Sequence, residues 1–243
     1  MGFPIDSATA YSRHEPRPPE PAGPWTGLAR WIAVVGGVGY VPVAPGTAGS
    51  LAAVLVFLAP WLVAPVARSG PGAASGWVPW SGCGFGLLLG GVIAVGIWAA
   101  GRAERSFGRA DDGRIVVDEV AGQLIALAPL VYGPGLALGS GRAAAESAVP
   151  AAGRALPMDL FLAVVTGFVL FRVFDVWKPG PVRWAERRFS GGFGVMADDM
   201  VAGIAAALGL GALMLGARAV SGSPGGLGGL GGSIVGRIAE ALA

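Results

Sequence analysis

Five long apolar runs limit what this chain can fold into. They lie near residues 48–67, 83–101, 120–138, 158–177 and 200–217. Each has about the 20 residues that an α-helix needs to cross the roughly 30 Å hydrocarbon core of a bilayer. Lipid offers the backbone no hydrogen bonds, and no segment alternates apolar and polar residues as a barrel strand does. The sequence therefore predicts an all-α fold, a polytopic membrane helical bundle.

The composition agrees with a membrane protein and argues against several other classes. Of the 243 residues, 53% are hydrophobic and only 13% are charged, and the mean hydropathy is +0.64. The formal net charge of +2 comes from scattered arginines and not from a basic block with interleaved aromatics, so no nucleic-acid partner is expected. Anionic membrane lipids fit this charge better. The single cysteine, Cys83, excludes an internal disulfide and argues against a zinc site.

The chain divides into three parts. Residues 1–24 contain six prolines, five of them among charges from Pro16 to Pro24, and lack the apolar core of a signal peptide, so a disordered Pro-rich tail is predicted. Residues 25–220 form the predicted helical domain. Residues 221–243 read as a Gly-rich linker followed by a short C-terminal helix. The sequence does not indicate an oligomeric state.

The distribution of cations predicts the orientation in the membrane. Cytoplasmic loops carry an excess of Lys and Arg. With the N-terminal tail inside and five alternating helices, eight cations fall in the two cytoplasmic loops and three in the outer loops. The inner ones are Arg102, Arg105, Arg109, Arg114, Lys178, Arg183, Arg187 and Arg188, and the outer ones are Arg68, Arg142 and Arg154. A multi-pass membrane protein with its charged helix ends on the cytoplasmic side is expected.

The same threading brings polar residues from four helices to one level. Asp118 and Glu119 open the third predicted helix, and Asp175 closes the fourth. Asp198 and Asp199 open the fifth, and Thr47 and Ser50 lie at the start of the first. All of them are expected at the cytoplasmic face.

Carboxylates gathered in this way need a compensating charge. Two like charges 4 Å apart repel by about 4 kcal/mol at an effective dielectric of 20. Hard oxygen ligands without His or Cys favour Mg²⁺, Mn²⁺ or Ca²⁺ over zinc, and Mg²⁺ commonly binds a few carboxylates together with water and substrate phosphate. We therefore expect Mg²⁺ at Asp118, Glu119, Asp198 and Asp199.

The cations nearby suggest a phosphate ligand. Arg172, Asp175 and Lys178 follow an i, i+3, i+6 spacing, so they share a helix face until Pro179 ends the helix. Arg and Lys can bind phosphate oxygens while Asp175 orients them or joins the metal. Glycines at 191, 192 and 194, before the Asp pair, are expected to expose backbone N–H groups at a helix start, where anions are favoured. Gly46, Thr47, Gly49 and Ser50 are expected to do the same at the first helix.

Counting residues removes several phosphatase mechanisms. The only histidine, His14, lies in the predicted tail, Cys83 has no Arg six residues later, and no Asp-x-Asp occurs. Attack of water on phosphorus with metal assistance remains, and a carboxylate orients or deprotonates the water.

Three blocks of sequence resemble a known family. GTAGSLAAV, IVVDEVAG and FRVFDVWKPGPVRWAERRFSGGFGVMADDMVAG are similar to the signature blocks of phosphatidylglycerophosphatase A, across roughly residues 45–203. The resemblance implies an all-helical fold and Mg²⁺-dependent hydrolysis of phosphatidylglycerophosphate to phosphatidylglycerol and phosphate at a bacterial inner membrane. It implies catalytic residues Asp118, Glu119, Asp175 and Asp199, phosphate-binding residues Thr47, Ser50, Arg172 and Lys178, and the four metal ligands given above. Gly180 departs from the pattern, since the family often has an aromatic residue between these two prolines.

Other interpretations stay open at this point. An acidic pair at a helix start can be a simple cap, and Arg172 with Asp175 can be a salt bridge that eases burial. A small membrane carrier that uses intramembrane carboxylates for ion or proton coupling is the main alternative function. Carrier sites belong near the bilayer midplane, however, and these charges lie at helix ends. A non-catalytic subunit of lipid-synthesis machinery is a third possibility.

Overall fold

In the part of the chain that the structure describes, all regular elements are helices. The computed structural model describes residues 23–67, 82–109, 112–132 and 158–222. The helices are α1 (Thr26–Ala33), α2 (Pro45–Ala67), α3 (Gly82–Phe107), α4 (Val117–Leu127), α5 (Pro129–Tyr132), α6 (Met158–Trp177), α7 (Gly180–Arg188) and α8 (Gly191–Gly222), with a 3-10 turn at Val35–Tyr40. The predicted all-α membrane bundle is confirmed. Most of the predicted tail and Gly-rich end, and nearly all of the two outer loops, lie outside the described residues.

Among the described residues, three helices are long and apolar enough to cross a bilayer. They are Gly82–Phe107, Leu160–Trp177 and Gly191–Ala217, and the apolar segment Pro45–Pro60 of α2 is shorter. Their apolar side chains are largely exposed, for example Leu87 on α3 and Leu208 on α8. Exposed apolar side chains on long helices are what contact with lipid requires, because the surrounding solvent is then hydrocarbon. These three helices supply the membrane-spanning frame.

The third predicted span is wrong in length and in environment. Instead of one helix over 120–138, α4 has 11 residues and is followed at once by the four-residue α5. A helix of 11 residues is about 16 Å long, roughly half of the hydrocarbon thickness. Nine of its residues are buried, because α2, α3, α6 and α8 all pack on it. The part of this run that lies in α4 fills the centre of the bundle and does not face lipid, while residues 133–138 lie outside the described residues.

Close glycine contacts fix α4 against α8. A methyl group on Gly203 of α8 would overlap the carbonyl oxygen of Gly122 on α4, and one on Gly122 would meet Phe171 and the Asp199 carbonyl oxygen. Small residues let helix backbones approach this closely, which favours association where no hydrophobic effect acts between helices. The pair Gly122 and Gly203 therefore sets the distance between the two helices.

The polar ends of the helices meet at one end of the bundle, which we call the charged end. Helices α2, α4 and α8 begin there, and α3 and α6 end there. The Val116 N–H donates to the Ala33 carbonyl at 2.9 Å, which ties the start of α4 to α1. Arg30 of α1 donates to both the hydroxyl and the carbonyl of Ser106 near the end of α3. Side-chain and backbone bonds thus hold this end together.

The last helix begins earlier than predicted. Asp198 and Asp199 do not open α8; they lie two turns inside it, because the helix starts at Gly191. Gly192 and Gly194 pack closely against the backbone of Ile97 and Phe189, respectively, and both lie within α8. These glycines thus lie in the first turn of α8, at the helix N-terminus as expected, and the approach of their backbone N–H groups to an anion stays a prediction.

Candidate functional site

Three carboxylates from two helices converge at the charged end. Ligand oxygens of Asp118, Glu119 and Asp199 all lie within 4.8 Å of one another, and we call these residues the acidic triad. Asp118 and Asp199 are buried, with 7% and 5% of their surface exposed, and Glu119 is partly buried. Three charged oxygen donors at this spacing have the chemistry and the separation of a site for a hard divalent cation.

The glycine contact between α4 and α8 explains why the triad forms. Gly122 follows Asp118 by four residues, and Gly203 follows Asp199 by four residues. Residues four apart lie on the same helix face. Because the two glycines bring the backbones together, the two acids one turn earlier also face each other.

The electrostatics of the triad are unfavourable without a partner. Burial raises the pKa of Asp118 well above its ordinary value, and the negative charge of Glu119 adds to the rise. Burial also raises the pKa of Glu119, whereas the positive charge of the nearby Arg172 lowers it. Buried like charges must take up protons or a cation, since the low dielectric strengthens their repulsion. The triad is thus poised to bind positive charge.

Arg172 and Asp175 lie beside the triad near the end of α6. Arg172 Nη1 is 2.6 Å from Asp175 Oδ2, and both side chains are largely buried. A methyl group on Gly46 would overlap Glu119 Oε1 and would lie 3.5 Å from Arg172 Nη1. The absence of a side chain at Gly46 therefore gives Glu119 and Arg172 room to meet at the start of α2.

The two hydroxyl residues of α2 have different surroundings. Thr47 lies in the first turn and is partly buried. Ser50 is fully buried, and its hydroxyl donates to the Gly46 carbonyl at 3.0 Å, within its own helix. The structure brings both residues to the charged end, as expected, but the Ser50 hydroxyl already has a backbone acceptor. Their role in phosphate binding stays a prediction.

Lys178 and Asp198 form a second group next to the triad. Lys178 Nζ lies 2.9 Å from Asp198 Oδ2 and 3.0 Å from Glu186 Oε1. Burial lowers the pKa of Lys178, but the hydrogen bonds to Asp198 and Glu186 outweigh this effect and raise the pKa above its usual value. Asp198 is therefore paired with a cation, whereas its neighbour Asp199 joins the triad. Of the four metal ligands predicted from the sequence, the structure brings together Asp118, Glu119 and Asp199.

Two polar residues of this region, Glu186 and Gln123, were not identified from the sequence. Glu186 lies on α7 beyond Pro179, and the break in the helix hides its proximity to Lys178. Gln123 is fully buried, and neither of its side-chain polar atoms has a partner. It follows Glu119 by four residues on α4, which is the spacing that could have revealed it.

Glu119 Oε2 also lacks a partner, and Arg172 Nη1 forms no aligned hydrogen bond. Unpaired buried polar atoms cost about 1–3 kcal/mol each, so their concentration here suits a place where a ligand or solvent binds.

The fold and the site together define a class: an all-helical membrane protein with a buried oxygen-ligand site and adjoining cations at one end of its bundle. Comparison with known proteins makes this more specific. The family model for phosphatidylglycerophosphatase A matches residues 31–214. The chain belongs to the phosphatidylglycerophosphatase A family, and the prediction of a phosphatase is confirmed.

Curated relatives cover most of the chain. Phosphatidylglycerophosphatase A of Escherichia coli (strain K12) is 32% identical over 186 residues, which is 76% of this chain and 81% of the relative. A putative phosphatidylinositol-3-phosphatase of Bacteroides thetaiotaomicron is 34% identical over 168 residues, 69% of this chain and 82% of the relative. Phosphatidylglycerophosphatase A of Haemophilus influenzae is 27% identical over 179 residues, 73% of this chain and 83% of the relative. No solved structure matches the chain.

Proposed function

We propose that this lipid phosphatase hydrolyses phosphatidylglycerophosphate to phosphatidylglycerol and inorganic phosphate, with Mg²⁺, at the cytoplasmic face of the bacterial inner membrane. The observation that carries the proposal is the meeting of Asp118, Glu119 and Asp199 within 4.8 Å, beside Arg172. A phosphate monoester and a divalent cation together complement this set of charges.

The donor set fits Mg²⁺. The triad offers only carboxylate oxygens, one of which, Glu119 Oε2, is buried without a hydrogen-bond partner. Asp118, Glu119 and Asp199 would hold the ion, whereas Asp198 is paired with Lys178. When bound, Mg²⁺ neutralises phosphate charge and stabilises the negative charge that develops during phosphoryl transfer.

The side chains around the triad can bind and orient the reacting groups. Arg172 presents a planar fork and Lys178 a point charge, and both can bind oxygens of the terminal phosphate. Asp175 holds the Arg172 guanidinium in place through their ion pair. A carboxylate of the triad takes a proton from water as the new P–O bond forms. The bond from phosphorus to the glycerol oxygen breaks, and that oxygen takes up a proton from solvent and leaves as a free hydroxyl.

The lipid can stay in the bilayer during this reaction. The spanning parts of α3, α6 and α8 expose apolar side chains against which acyl chains can lie. The triad lies at the charged end of the bundle, in the first turn of α4 and two turns inside α8, so a headgroup at that end can reach it while its chains stay in hydrocarbon. Placement at one end also favours an enzyme over a carrier, whose site would lie near the midplane.

Phosphate release from lipid by the purified protein tests this function. We expect release from phosphatidylglycerophosphate in detergent or vesicles, its loss with a chelator, and its return when Mg²⁺ is added in excess. Phosphatidylinositol-3-phosphate is the matched second substrate, because one relative carries a name based on that lipid. Faster release from the inositol lipid would reassign the headgroup, and activity that is unchanged by chelation would refute the metal proposal.

A further inference from the structure

The contacts of Lys178 point to an additional functional residue, Glu186. The Lys178 ammonium has three N–H donors. Asp198 Oδ2 at 2.9 Å and Glu186 Oε1 at 3.0 Å accept two of them. One donor is left, and two fixed neighbours determine its direction. A lysine held by a single carboxylate would keep much more rotational freedom.

The backbone at Lys178 directs its side chain toward these partners. Lys178 has φ of +46°, in the left-handed region, although it is not a glycine. That conformation costs roughly 1–2 kcal/mol for an ordinary residue. Pro179 follows and disfavours the right-handed helical region at Lys178. The chain therefore leaves α6 at this residue, and the strained conformation persists because α7 and α8 supply partners for the side chain.

Glu186 is held in place by the packing of its own helix. In α7, Val182 and Ala185 are buried, while Arg183, Trp184 and Arg187 are exposed. The buried face anchors α7 against α8, and Val182 joins a core cluster with Phe171 and Ala202. Glu186 follows directly after the buried Ala185, so its position relative to Lys178 is set by the fold.

We propose that Glu186 is a positioning residue of the phosphatase site, which acts by fixing the Lys178 ammonium so that its remaining N–H binds a phosphate oxygen of the substrate. This inference rests on the proposed function. The Glu186 side chain is 41% exposed, and ion pairs of that kind add only about 0–1 kcal/mol to stability. The effect of Glu186 therefore falls on phosphate binding and barely on folding.

Two substitutions of similar size separate orientation from charge. Glu186→Gln keeps an acceptor oxygen and removes the charge, whereas Glu186→Leu removes both. One orienting hydrogen bond to a charged group corresponds to about a 10- to 100-fold effect. We expect kcat/KM to fall by that factor in Glu186→Leu, mainly through KM, and by less than about 5-fold in Glu186→Gln. Inhibition by inorganic phosphate is expected to weaken in parallel.

The control is Glu104→Gln, a change to a partly buried acid in α3 outside the site, for which wild-type kinetics are expected. Thermal melts of all variants verify folding, and Glu186→Ala replaces the Leu variant if that one does not fold. Equal losses in the Gln and Leu variants, or wild-type kinetics and phosphate inhibition in both, would overturn the positioning role while the phosphatase stands. A wild-type protein that releases no phosphate would overturn both proposals.

Discussion

Asp199 is the residue at which the triad can be tested with the least disturbance to packing. Asn has nearly the shape of Asp, and Asp199 is only 5% exposed. We expect Asp199→Asn to lower phosphate release by at least about 100-fold, because a charged ligand and proton acceptor is lost. Its melting temperature without metal should equal or exceed that of the wild type, since one of three repelling charges is gone.

Removal of Mg²⁺ gives a second measurement on the same variant. A ligand that binds only the folded state at 100 times its Kd stabilises that state by about 2.7 kcal/mol. We expect added Mg²⁺ to raise the melting temperature of the wild type and to leave Asp199→Asn nearly unchanged. Asp112→Asn is the control, because Asp112 is a buried acid held by Arg114 outside the triad. It should keep the Mg²⁺ response, and a full response in Asp199→Asn would contradict the metal site.

Individual residues also show how much of the site can be predicted from the sequence. Asp118, Glu119, Arg172 and Asp199 could be placed at one level, because alternating helices bring their ends to the same side. The split between Asp198 and Asp199 could not be foreseen, since it depends on where α8 begins. Their side chains point in directions about 100° apart around the helix, so one faces α4 and the other faces Lys178.

At the scale of helices, the contact between Gly122 and Gly203 controls the site. We expect Gly203→Ala to destabilise the protein by about 1–3 kcal/mol, because the new methyl group overlaps the Gly122 carbonyl oxygen. Phosphate release should fall by more than the loss of stability alone explains. The new methyl group pushes α8 away from α4, and Asp199 moves with α8. Melting temperature and phosphate release on the same samples provide the measurement.

The same helix offers a matched control for this change. A methyl group on Gly211 would meet nothing within 4 Å. Gly211→Ala should therefore be neutral or stabilise by up to about 1 kcal/mol, as expected where Ala replaces Gly in a helix. If both variants behave alike, the close contact is not what holds α4 and α8 in register.

Helix α4 shows why apolar length alone misleads in such a protein. The interior of a membrane protein and the surrounding lipid are both apolar, so hydropathy does not separate a buried central helix from a lipid-facing one. The small residues Ala121, Gly122 and Ala126 in α4 are the available signal, because close packing on all sides needs them. Pro129, inside the apolar run, is the other sign of a short helix, because proline disrupts a helix interior.

For the whole molecule, the orientation in the membrane can be read from one native cysteine. Cys83 is exposed at the start of α3, whose other end reaches the charged end of the bundle. If the charged end is cytoplasmic, a membrane-impermeant maleimide should label Cys83 in intact spheroplasts. Labelling only after the membrane is opened would place the site on the opposite side.

A reciprocal variant completes this test. Arg187→Cys in a Cys83→Ser background puts the single thiol on the exposed face of α7, next to the site. This thiol should react in inverted vesicles and not in intact spheroplasts. The pair of labelling patterns fixes the orientation without reference to activity.

The position of Asp199 within α8 has a consequence for selectivity. Asp199 lies eight positions after Gly191, so it stands roughly 12 Å along the helix from the first residue. Asp118 and Asp199 are both buried, so a phosphoryl group must lose part of its hydration before it meets them. Sugar phosphates and nucleotides dissolved in water lose that hydration without help from acyl chains, whereas the acyl chains of a lipid already hold its headgroup at the membrane. Discrimination against abundant soluble esters thus follows from where the acids are buried.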